Sequence, residues 1–410
     1  MVNKKGWSFL YNDFKAVVNY RDEFLYFIKR YLIDIIAFIP FIISLIYIFF
    51  SNQKKEKKIL LGTVPIITFE SLSKLLNKNN IDNTLFVFKD WSDGNFHSGL
   101  SFEDICKNKF LNKNPYGFGS YIAFIWALKN FDIFCLYFNS GFLERTIFWK
   151  IEPIIYQIFN KKTILIPYGS DVWSASDTYN PMHKIGIISN LKKHFLLDNK
   201  RKKRIFHWSK YVNVIIGFID YYNYLPRIDI LVYHGQIFVD IDKYKYNFNH
   251  TKIKIIHYAN DKSRKGSMYI EKKLQNIDAK IKYFYGVKRE FLLKELDNSH
   301  FYIEQLTNGF INYSTLEAML KGKIVFAYID ENINNIYKLL NSEYYIPFFE
   351  ELPIVNVNLE NIEDKIVEYL NKDFDELEQL SKKSREFAVK LIKENEQIYI
   401  DIFKKLKENI

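Results

Sequence analysis

The sequence predicts an α/β protein with two doubly wound domains that face a cleft, preceded by a hydrophobic membrane helix. The chain has 410 residues, which is too long for one ordinary domain and suits two. Twice along it, short apolar runs alternate with amphipathic segments, as in buried parallel strands joined by crossover helices. Near its beginning, residues 31–50 form a nearly uninterrupted apolar stretch.

Residues 1–54 are predicted to form a membrane-associated segment. Its apolar part, residues 31–50, carries one charge, Asp34, and one proline, Pro40. Twenty apolar residues are enough for a helix to cross the hydrocarbon layer. The stretch begins too late, and is too long, for a cleavable signal peptide. Because basic residues flank both sides, a single crossing, a helix broken near Pro40 with both ends cytoplasmic, and a buried core helix remain alternatives.

Residues 55–225 are predicted to form the first Rossmann-like domain, and residues 226–385 the second. Residues 218–250 offer short elements only and are interpreted as the connection between the two series. Long amphipathic helices end the chain, with residues 386–410 as a separate C-terminal helix. The predicted strands of both domains lie at residues 58–62, 85–88, 132–138, 163–167, 211–217, 252–256, 281–285, 300–303 and 324–328. Ligands of such folds bind at the carboxyl ends of the strands, here in the cleft between the domains.

The composition limits which ligands, metals and cofactors the protein is expected to bind. The net charge of +11 comes from abundant lysine and indicates a mild preference for phosphates or acidic lipid headgroups. Two cysteines, Cys106 and Cys135, make neither a disulfide framework nor a metal site, so we expect a reducing compartment and no metal. No dinucleotide fingerprint is present, which excludes the usual nicotinamide or flavin site.

Residues 200–204 form a basic cluster, KRKKR. This cluster is predicted either to contact anionic lipid headgroups beside the membrane helix or to be a solvated helix face. Since no nucleic-acid-binding module or aromatic platform accompanies it, we expect no nucleic-acid partner.

The most specific motif is the segment 301–328, FYIEQLTNGFINYSTLEAMLKGKIVFAY. A strand leads through a loop with Gly309 into a helix that begins near Ser314 and Thr315. The start of a helix presents free N–H groups to a phosphate. Glu317, one turn into the helix, is placed to accept hydrogen bonds from ribose hydroxyls, or is simply a solvated carboxylate.

This segment resembles the C-terminal signature of family-4 type GT-B glycosyltransferases, in which two glutamates are separated by seven residues and followed by Ala-Met and a glycine. The stretch LEAMLKGKIV matches closely, but Gly309 stands where the first glutamate is expected. In the family that glutamate approaches the donor sugar, so sugar identity and stereochemistry stay open. Members that act on capsule or lipopolysaccharide precursors share the opening Gln305 and Leu306 and the glycine.

A second stretch, residues 254–270, resembles the first strand of the family's donor domain and the basic loop after it. The resemblance implies that Lys262 and Lys265 neutralise the departing donor diphosphate without a metal. Arg264 is the alternative candidate for the role given to Lys262. Because the chain is rich in lysine, chance is a competing explanation for the match of these lysines to the family pattern.

A third stretch, PYGSDVW at residues 167–173, resembles the His-Gly-Ser-Asp motif of related enzymes, with Tyr168 in place of the histidine. Gly169, Ser170 and Asp171 match. Asp171 is predicted either to orient or deprotonate an acceptor hydroxyl or to cap a helix. After the first strand, Gly62 and Thr63 are expected to approach the acceptor or the donor phosphates.

Together the resemblance implies transfer of a sugar from a nucleotide-sugar donor, the only co-substrate, to a hydroxyl of a glycan or lipid-linked acceptor. It implies bacterial surface polysaccharide synthesis at the cytoplasmic face of the inner membrane, and favours retention of configuration. The C-terminal domain should hold the nucleotide and the N-terminal domain the acceptor. The alternatives are a non-catalytic, degenerate scaffold subunit of a polysaccharide assembly complex and a related enzyme that transfers a phosphorylated or modified group.

Overall fold

The computed structural model describes residues 20–51, 58–89, 99–113, 115–190, 192–232, 238–249, 251–260, 262–340 and 351–408. Within these residues the chain forms two parallel sheets covered by helices, as predicted. The helices are α1 (Tyr20–Phe50), α2 (Ile67–Lys78), α3 (Phe102–Ile105), α4 (Lys109–Lys113), α5 (Phe118–Asn130), α6 (Glu152–Ile158), α7 (Pro181–Asn190), α8 (Lys192–Tyr211), α9 (Lys262–Lys265), α10 (Ser267–Lys273), α11 (Arg289–Asp297), α12 (Tyr313–Leu320), α13 (Glu331–Leu340), α14 (Ile362–Leu370) and α15 (Phe374–Glu408).

The first sheet defines the N-terminal domain and has seven strands in the order β3-β2-β1-β4-β5-β6-β7. Its strands are β1 (Ile59–Thr63), β2 (Asn83–Val87), β3 (Leu100–Ser101), β4 (Ile133–Leu136), β5 (Lys162–Leu165), β6 (Val214–Phe218) and β7 (Ile230–Val232). All residues of β1 and β4 are buried, because helices cover both faces of a parallel sheet. Strand β7 extends this sheet past residue 225, so the predicted boundary falls too early.

The second sheet defines the C-terminal domain and has five strands in the order β12-β11-β10-β8-β9. Its strands are β8 (Lys254–Ala259), β9 (Lys280–Tyr285), β10 (Phe301–Ile303), β11 (Ile324–Ala327) and β12 (Val355–Asn356). The strand order reverses between β8 and β10, and between β1 and β4 in the first sheet. Ligands of open parallel sheets bind at such reversals, beyond the carboxyl ends of the strands.

The last helix, α15, joins the two domains. Its first half, with Phe387 and Leu391, belongs to the core of the C-terminal domain. Its second half, with Tyr399 and Phe403, packs into the core of the N-terminal domain. The predicted separate helix at residues 386–410 is therefore, over its described part to Glu408, the continuation of one long helix.

Helix α1 is continuous through Pro40, which does not fit the alternative of a helix broken near that residue. The proline ring lies on the exposed side of the helix, where it meets no neighbouring element. Residues Ile28–Phe50 are long and apolar enough to cross a membrane, and only 22% of that window is buried. This low burial argues against an ordinary core helix, which would be mostly buried.

Two glycines with left-handed backbone allow a matched stability test. A Cβ at Gly322 (φ 75°) would lie 2.5 Å from the Tyr246 ring, whereas a Cβ at Gly286 (φ 59°) would meet nothing within 4 Å. We expect Gly286→Ala to lower the free energy of unfolding by about 1–2 kcal/mol, the backbone cost alone. Gly322→Ala should cost about 1–3 kcal/mol more, because the methyl group also displaces the tyrosine. Chemical denaturation of both variants measures the difference, and equal losses would contradict the packing argument.

Candidate functional site

A cleft lies between the two domains at the carboxyl ends of their strands. One cavity of about 190 Å³ opens into it. Tyr168, Trp173 and Asp220 of the N-terminal domain line one wall, and Asn308 and Tyr313 of the C-terminal domain line the other. The predicted interdomain crevice is therefore present, and the predicted site residues can be placed relative to it.

Lys265 lies at the end of α9, beside the strand reversal of the C-terminal sheet, and is almost fully buried. Its ammonium forms an ion pair with Glu304, the residue directly after β10. The Glu304 carboxylate also accepts hydrogen bonds from Ser314 Oγ (2.9 Å) and Asn312 Nδ2 (3.0 Å). Although burial raises the pKa of Glu304, Lys265 and these donors hold it below its usual value. The charge of the predicted diphosphate-binding lysine is thus neutralised by a carboxylate that the sequence analysis did not single out.

The start of α12 contributes a hydroxyl to the same cluster. Ser314 Oγ lies 3.4 Å from Lys265 Nζ, so the two predicted donor-binding residues are neighbours. Thr315 has a different role, because it is fully buried and its Oγ1 accepts a hydrogen bond from the backbone N–H of Asn312 at 3.1 Å. Asn312 and Thr315 together form the N-terminal capping box of the helix.

Glu317 lies one turn further along α12 and is not solvated. Its Oε1 accepts hydrogen bonds from Arg289 Nε and from Tyr244 Oη, both at 2.7 Å. Although burial lowers the pKa of Arg289, the charge of Glu317 raises it above its usual value. Arg289 and Tyr244 line a second interdomain cavity of about 590 Å³. That volume lies within the range of small-molecule pockets, roughly 300–1,000 Å³, whereas the first cavity is smaller.

Lys265 and Glu317 have different partners but share a neighbour. The Tyr258 ring at the end of β8 lies 5.7 Å from Lys265 Nζ. Burial, and then the charges of Glu317 and Glu304, raise the pKa of Tyr258. The two predicted donor-binding groups therefore flank one tyrosine at the cleft edge of the C-terminal sheet.

Lys262 does not join this cluster. Its ammonium lies 3.7 Å from the centre of the Tyr285 ring and 3.4 Å from Glu271 Oε1, and its side chain is half-exposed. Gly309 lies at the domain interface, where a Cβ would come within 2.9 Å of Asp330 Cβ. Its left-handed backbone (φ 75°) lets Asp330 accept a hydrogen bond from Asn180 Nδ2 across the cleft at 2.6 Å.

Asp171 does not cap a helix, because residues 168–180 form turns and loops, and its contacts are with the backbone of its own domain. The carboxylate is fully buried and accepts hydrogen bonds from the backbone N–H groups of Tyr168 (3.0 Å), Gly169 (2.9 Å) and Phe138 (3.2 Å). Burial raises its pKa to about 6, against the effect of these donors. Both oxygens are engaged inside the N-terminal domain, so Asp171 shapes the loop that presents Tyr168 to the cleft.

The other candidate site residues of the N-terminal domain make structural contacts. Gly62 lies within β1, where a Cβ would be 2.6 Å from the Phe86 carbonyl oxygen of the next strand. Thr63 Oγ1 donates to the Ser140 carbonyl at 2.9 Å and is buried. Gly169 (φ 121°) packs against the Trp173 ring, and the Ser170 hydroxyl bonds to Tyr168. These contacts position loops at the cleft. None of these four residues lines either of the two cavities described above.

Two carboxylates that the sequence analysis missed stand out. Glu304 follows directly after the buried strand β10, and Asp220 is the second residue after β6; this position at the end of a strand was the signal that could have found them. Asp220 lines the smaller cavity, and burial raises its pKa to about 7. No side chain of the described residues donates a hydrogen bond to it, so its carboxylate is available to a molecule in the cleft.

Most of the basic cluster at residues 200–204 is engaged within the protein. Arg201 donates to the Trp173 carbonyl oxygen and pairs with Asp198. Lys202 pairs with Asp177 at 2.6 Å, and Arg204 with Glu144 at 2.8 Å. The remaining two side chains, Lys200 and Lys203, are exposed.

Comparison with known proteins shows the fold. No family model matches the chain, and no curated protein matches it. A sucrose-phosphate synthase from Thermosynechococcus elongatus superposes with a TM-score of 0.53 at 12% identity, covering 87% of this chain and all of that one. TarM gives 0.41 at 13% identity over 70% of this chain and 58% of its own. The Streptomyces glycosyltransferase SsfS6, solved with thymidine diphosphate, gives 0.37 at 8% identity over 86% and 100%. The first of these confirms the predicted GT-B type of fold.

The role of Asp171 can be tested by Asp171→Asn. An amide offers one acceptor oxygen in place of two, so at least one buried backbone N–H loses its partner. We expect the free energy of unfolding to fall by about 1–3 kcal/mol. Chemical denaturation measures this loss, with Ser170→Ala as the control at a half-buried neighbour. A variant of unchanged stability that had lost transferase activity would instead support the general-base interpretation.

Proposed function

We propose that the protein transfers a glycosyl group from a nucleotide sugar to a hydroxyl of an acceptor. One observation carries this proposal: Lys265, Ser314, Glu317 and Arg289 converge at the cleft edge of the C-terminal sheet of a GT-B fold, and a carboxylate, Asp220, lines the opposite wall. Glycosyl transfer requires such an arrangement, with cationic and helix-end groups for the leaving diphosphate and a base for the acceptor.

The donor half of the proposal assigns Lys265 and Ser314 to the diphosphate and Glu317 to the ribose hydroxyls. Glu317 already accepts two hydrogen bonds from donors beside it, Arg289 and Tyr244. These donors hold the carboxylate in a fixed orientation, while the larger cavity beside them provides room for the nucleoside.

Glu304 sets a condition on donor binding. Lys265 is already paired with this carboxylate, so a diphosphate must compete with it for the ammonium. In this proposal the diphosphate displaces Glu304 from both Lys265 and the Ser314 hydroxyl, and Asn312 keeps the carboxylate hydrogen-bonded. The exchange leaves the buried Glu304 carboxylate without its cation, a cost that the other contacts of the donor must offset.

The acceptor half of the proposal assigns Asp220 as the general base. A base works best when its pKa lies near the working pH, and burial brings the pKa of Asp220 to about 7. A hydroxyl deprotonated there while the diphosphate leaves would give inversion in a single displacement. Retention, which the family resemblance implies, is the alternative, and the anomeric configuration of the product distinguishes them.

The finer proposal concerns the biological setting. We propose that the acceptor is a glycan or lipid-linked precursor of a bacterial surface polysaccharide at the cytoplasmic face of the inner membrane. Its support is the apolar helix α1, which belongs to the same domain as the proposed acceptor wall.

The second candidate function is a non-catalytic scaffold of a polysaccharide assembly complex. The neutral Lys265–Glu304 pair favours it, because a degenerate site gains stability when a buried cation is matched internally. A scaffold would neither hydrolyse a nucleotide sugar slowly nor be stabilised by any nucleoside diphosphate.

The diphosphate assignment is tested by the double variant Lys265→Met/Glu304→Leu. Replacing a buried ion pair by apolar side chains of similar volume is often neutral or stabilising, so the fold should persist. Nucleoside diphosphates should raise the melting temperature of the wild type and leave that of the variant unchanged. Lys262→Met, which removes a half-exposed lysine outside the cluster, is the control and should keep the ligand shift. An equal shift in wild type and double variant would contradict the assignment.

The general-base assignment is tested by Asp220→Asn. The wild-type transfer rate should rise about tenfold per pH unit below the pKa near 7 and level off above it, and the variant should lose at least about a hundredfold. Because a raised carboxyl pKa stabilises the folded protein only while the group is protonated, stability should fall as pH rises from about 4 through 7. The variant should therefore melt higher than the wild type at pH 8 and equally at pH 4. A full transfer rate in the variant would exclude Asp220 as the base.

A further inference from the structure

Helix α1 is fixed to the N-terminal domain along one face. Contacts run from Arg30, which donates to the Glu144 carbonyl at 3.5 Å, to Phe49, whose ring lies 5.8 Å from that of Phe159. At about 1.5 Å per residue the attached length is about 28 Å. That is nearly the thickness of the hydrocarbon layer of a bilayer, about 30 Å.

The only charged residue of the apolar stretch holds this face in place. Asp34 is buried and accepts hydrogen bonds from Tyr121 Oη at 2.6 Å and from the backbone N–H of Ile147 at 2.8 Å. Phe41, two turns further along, packs edge-on against the Tyr121 ring at 5.1 Å. The carboxylate therefore faces the protein interior, and rotation of the helix about its axis would leave it unpaired.

The opposite face of α1 is exposed and predominantly apolar, and the exposed Tyr47 and partly exposed Ser44 beside it carry hydroxyl groups. Its large side chains recur every three or four residues and are more than half exposed: Leu32, Ile36, Ile39, Ile43, Ile46 and Phe50. Soluble monomers rarely expose a continuous apolar surface of this length. A protein partner would ordinarily need hydrogen-bonding groups across such an interface, about one per 100–200 Å², and these six side chains offer none.

Exposed cations flank this face. Arg145 and Lys150 belong to the segment that contacts α1 through Phe148, whose ring stacks on Phe38 at 5.3 Å. Each cation lies over an aromatic ring, Arg145 at 3.7 Å from Tyr116 and Lys150 at 5.6 Å from Trp149.

The same edge continues into α8, where His207 donates to the Lys150 carbonyl at 2.6 Å. On that helix Lys203, Phe206 and Lys210 are exposed. Cations and aromatic rings beside an apolar face match the headgroup region of an anionic membrane.

We propose that α1 lies in the plane of one leaflet, with its exposed face in the acyl chains and the flanking cations at anionic headgroups. A crossing helix would carry the attached side of the N-terminal domain, including Arg145 and Lys150, into hydrocarbon, at a cost of several kcal/mol per charge. An in-plane helix avoids this cost and keeps the whole domain on one side. This placement does not depend on the proposed transferase activity.

Binding is tested by flotation of the full chain with preformed phosphatidylcholine vesicles, with and without phosphatidylglycerol. The wild type should float, and more strongly with phosphatidylglycerol. Ile39→Asp/Ile43→Asp should lower the partition coefficient at least about tenfold, since two isoleucines that lie in the acyl chains in this proposal are replaced by charged side chains. Val367→Asp, an exposed apolar position in the C-terminal domain, is the matched control and should bind normally. Undiminished binding of the double variant, or wild-type self-association without flotation, would overturn the proposal.

Orientation is tested with Lys29→Cys and Ser51→Cys, one at each end of the apolar stretch, in a Cys106→Ser background where the remaining Cys135 is buried. The protein is bound from outside to sealed vesicles and treated with a membrane-impermeant maleimide. An in-plane helix leaves both cysteines reactive from outside. A cysteine that reacts only after detergent is added shows a crossing helix and rejects the proposal, whatever the activity of the protein.

Discussion

Every described strand runs parallel to its neighbours in its sheet, and this constraint places the chemistry. A parallel sheet has one edge where all carboxyl ends meet, so the side chains that follow the strands are collected there. In the C-terminal sheet that edge gathers Lys265, Glu304 and Tyr258, and in the N-terminal sheet it brings Asp220 to the facing wall. The two sheets share a helix, α15, whose halves belong to different cores. The relative position of the two domains therefore depends on the packing of that helix.

The buried pair of Lys265 and Glu304 explains how the site is stable before a ligand arrives. An isolated buried ammonium would be costly, and the carboxylate offsets that cost within the protein. The same pairing weakens the binding of any anion to Lys265, because the anion must compete with Glu304. In the proposed function, discrimination between anions then depends on groups that are not paired with Glu304. These are chiefly the groups at the start of α12 and the Arg289–Glu317 pair.

Much of the fold was predictable because buried parallel strands are continuous apolar runs. The runs that became β1, β4 and β8 needed no tertiary information. Strands β3, β7 and β12 were missed because they have only two, three and two residues, too few for a periodic signal. The alternative of a break near Pro40 does not hold because the proline lies on the exposed side of a continuous helix, a position that sequence alone does not reveal.

The candidate site was less predictable, since partners and burial decide what a side chain does. The sequence placed Lys265 and Ser314 near each other correctly, but gave no sign that Glu304 would neutralise the lysine. For Asp171 the choice between base and structural group required its three backbone donors to be seen. A further set of contacts, which includes the Asp171 carbonyl, joins the proposed membrane face to the cleft. Glu144, which meets α1 through Arg30, pairs with Arg204, and Arg204 donates to the carbonyl of Asp171 at 3.3 Å. Asp171 in turn holds the loop of Tyr168 at the cavity wall, so a continuous set of polar contacts links the helix that would lie in the lipid to the surface that would receive the acceptor.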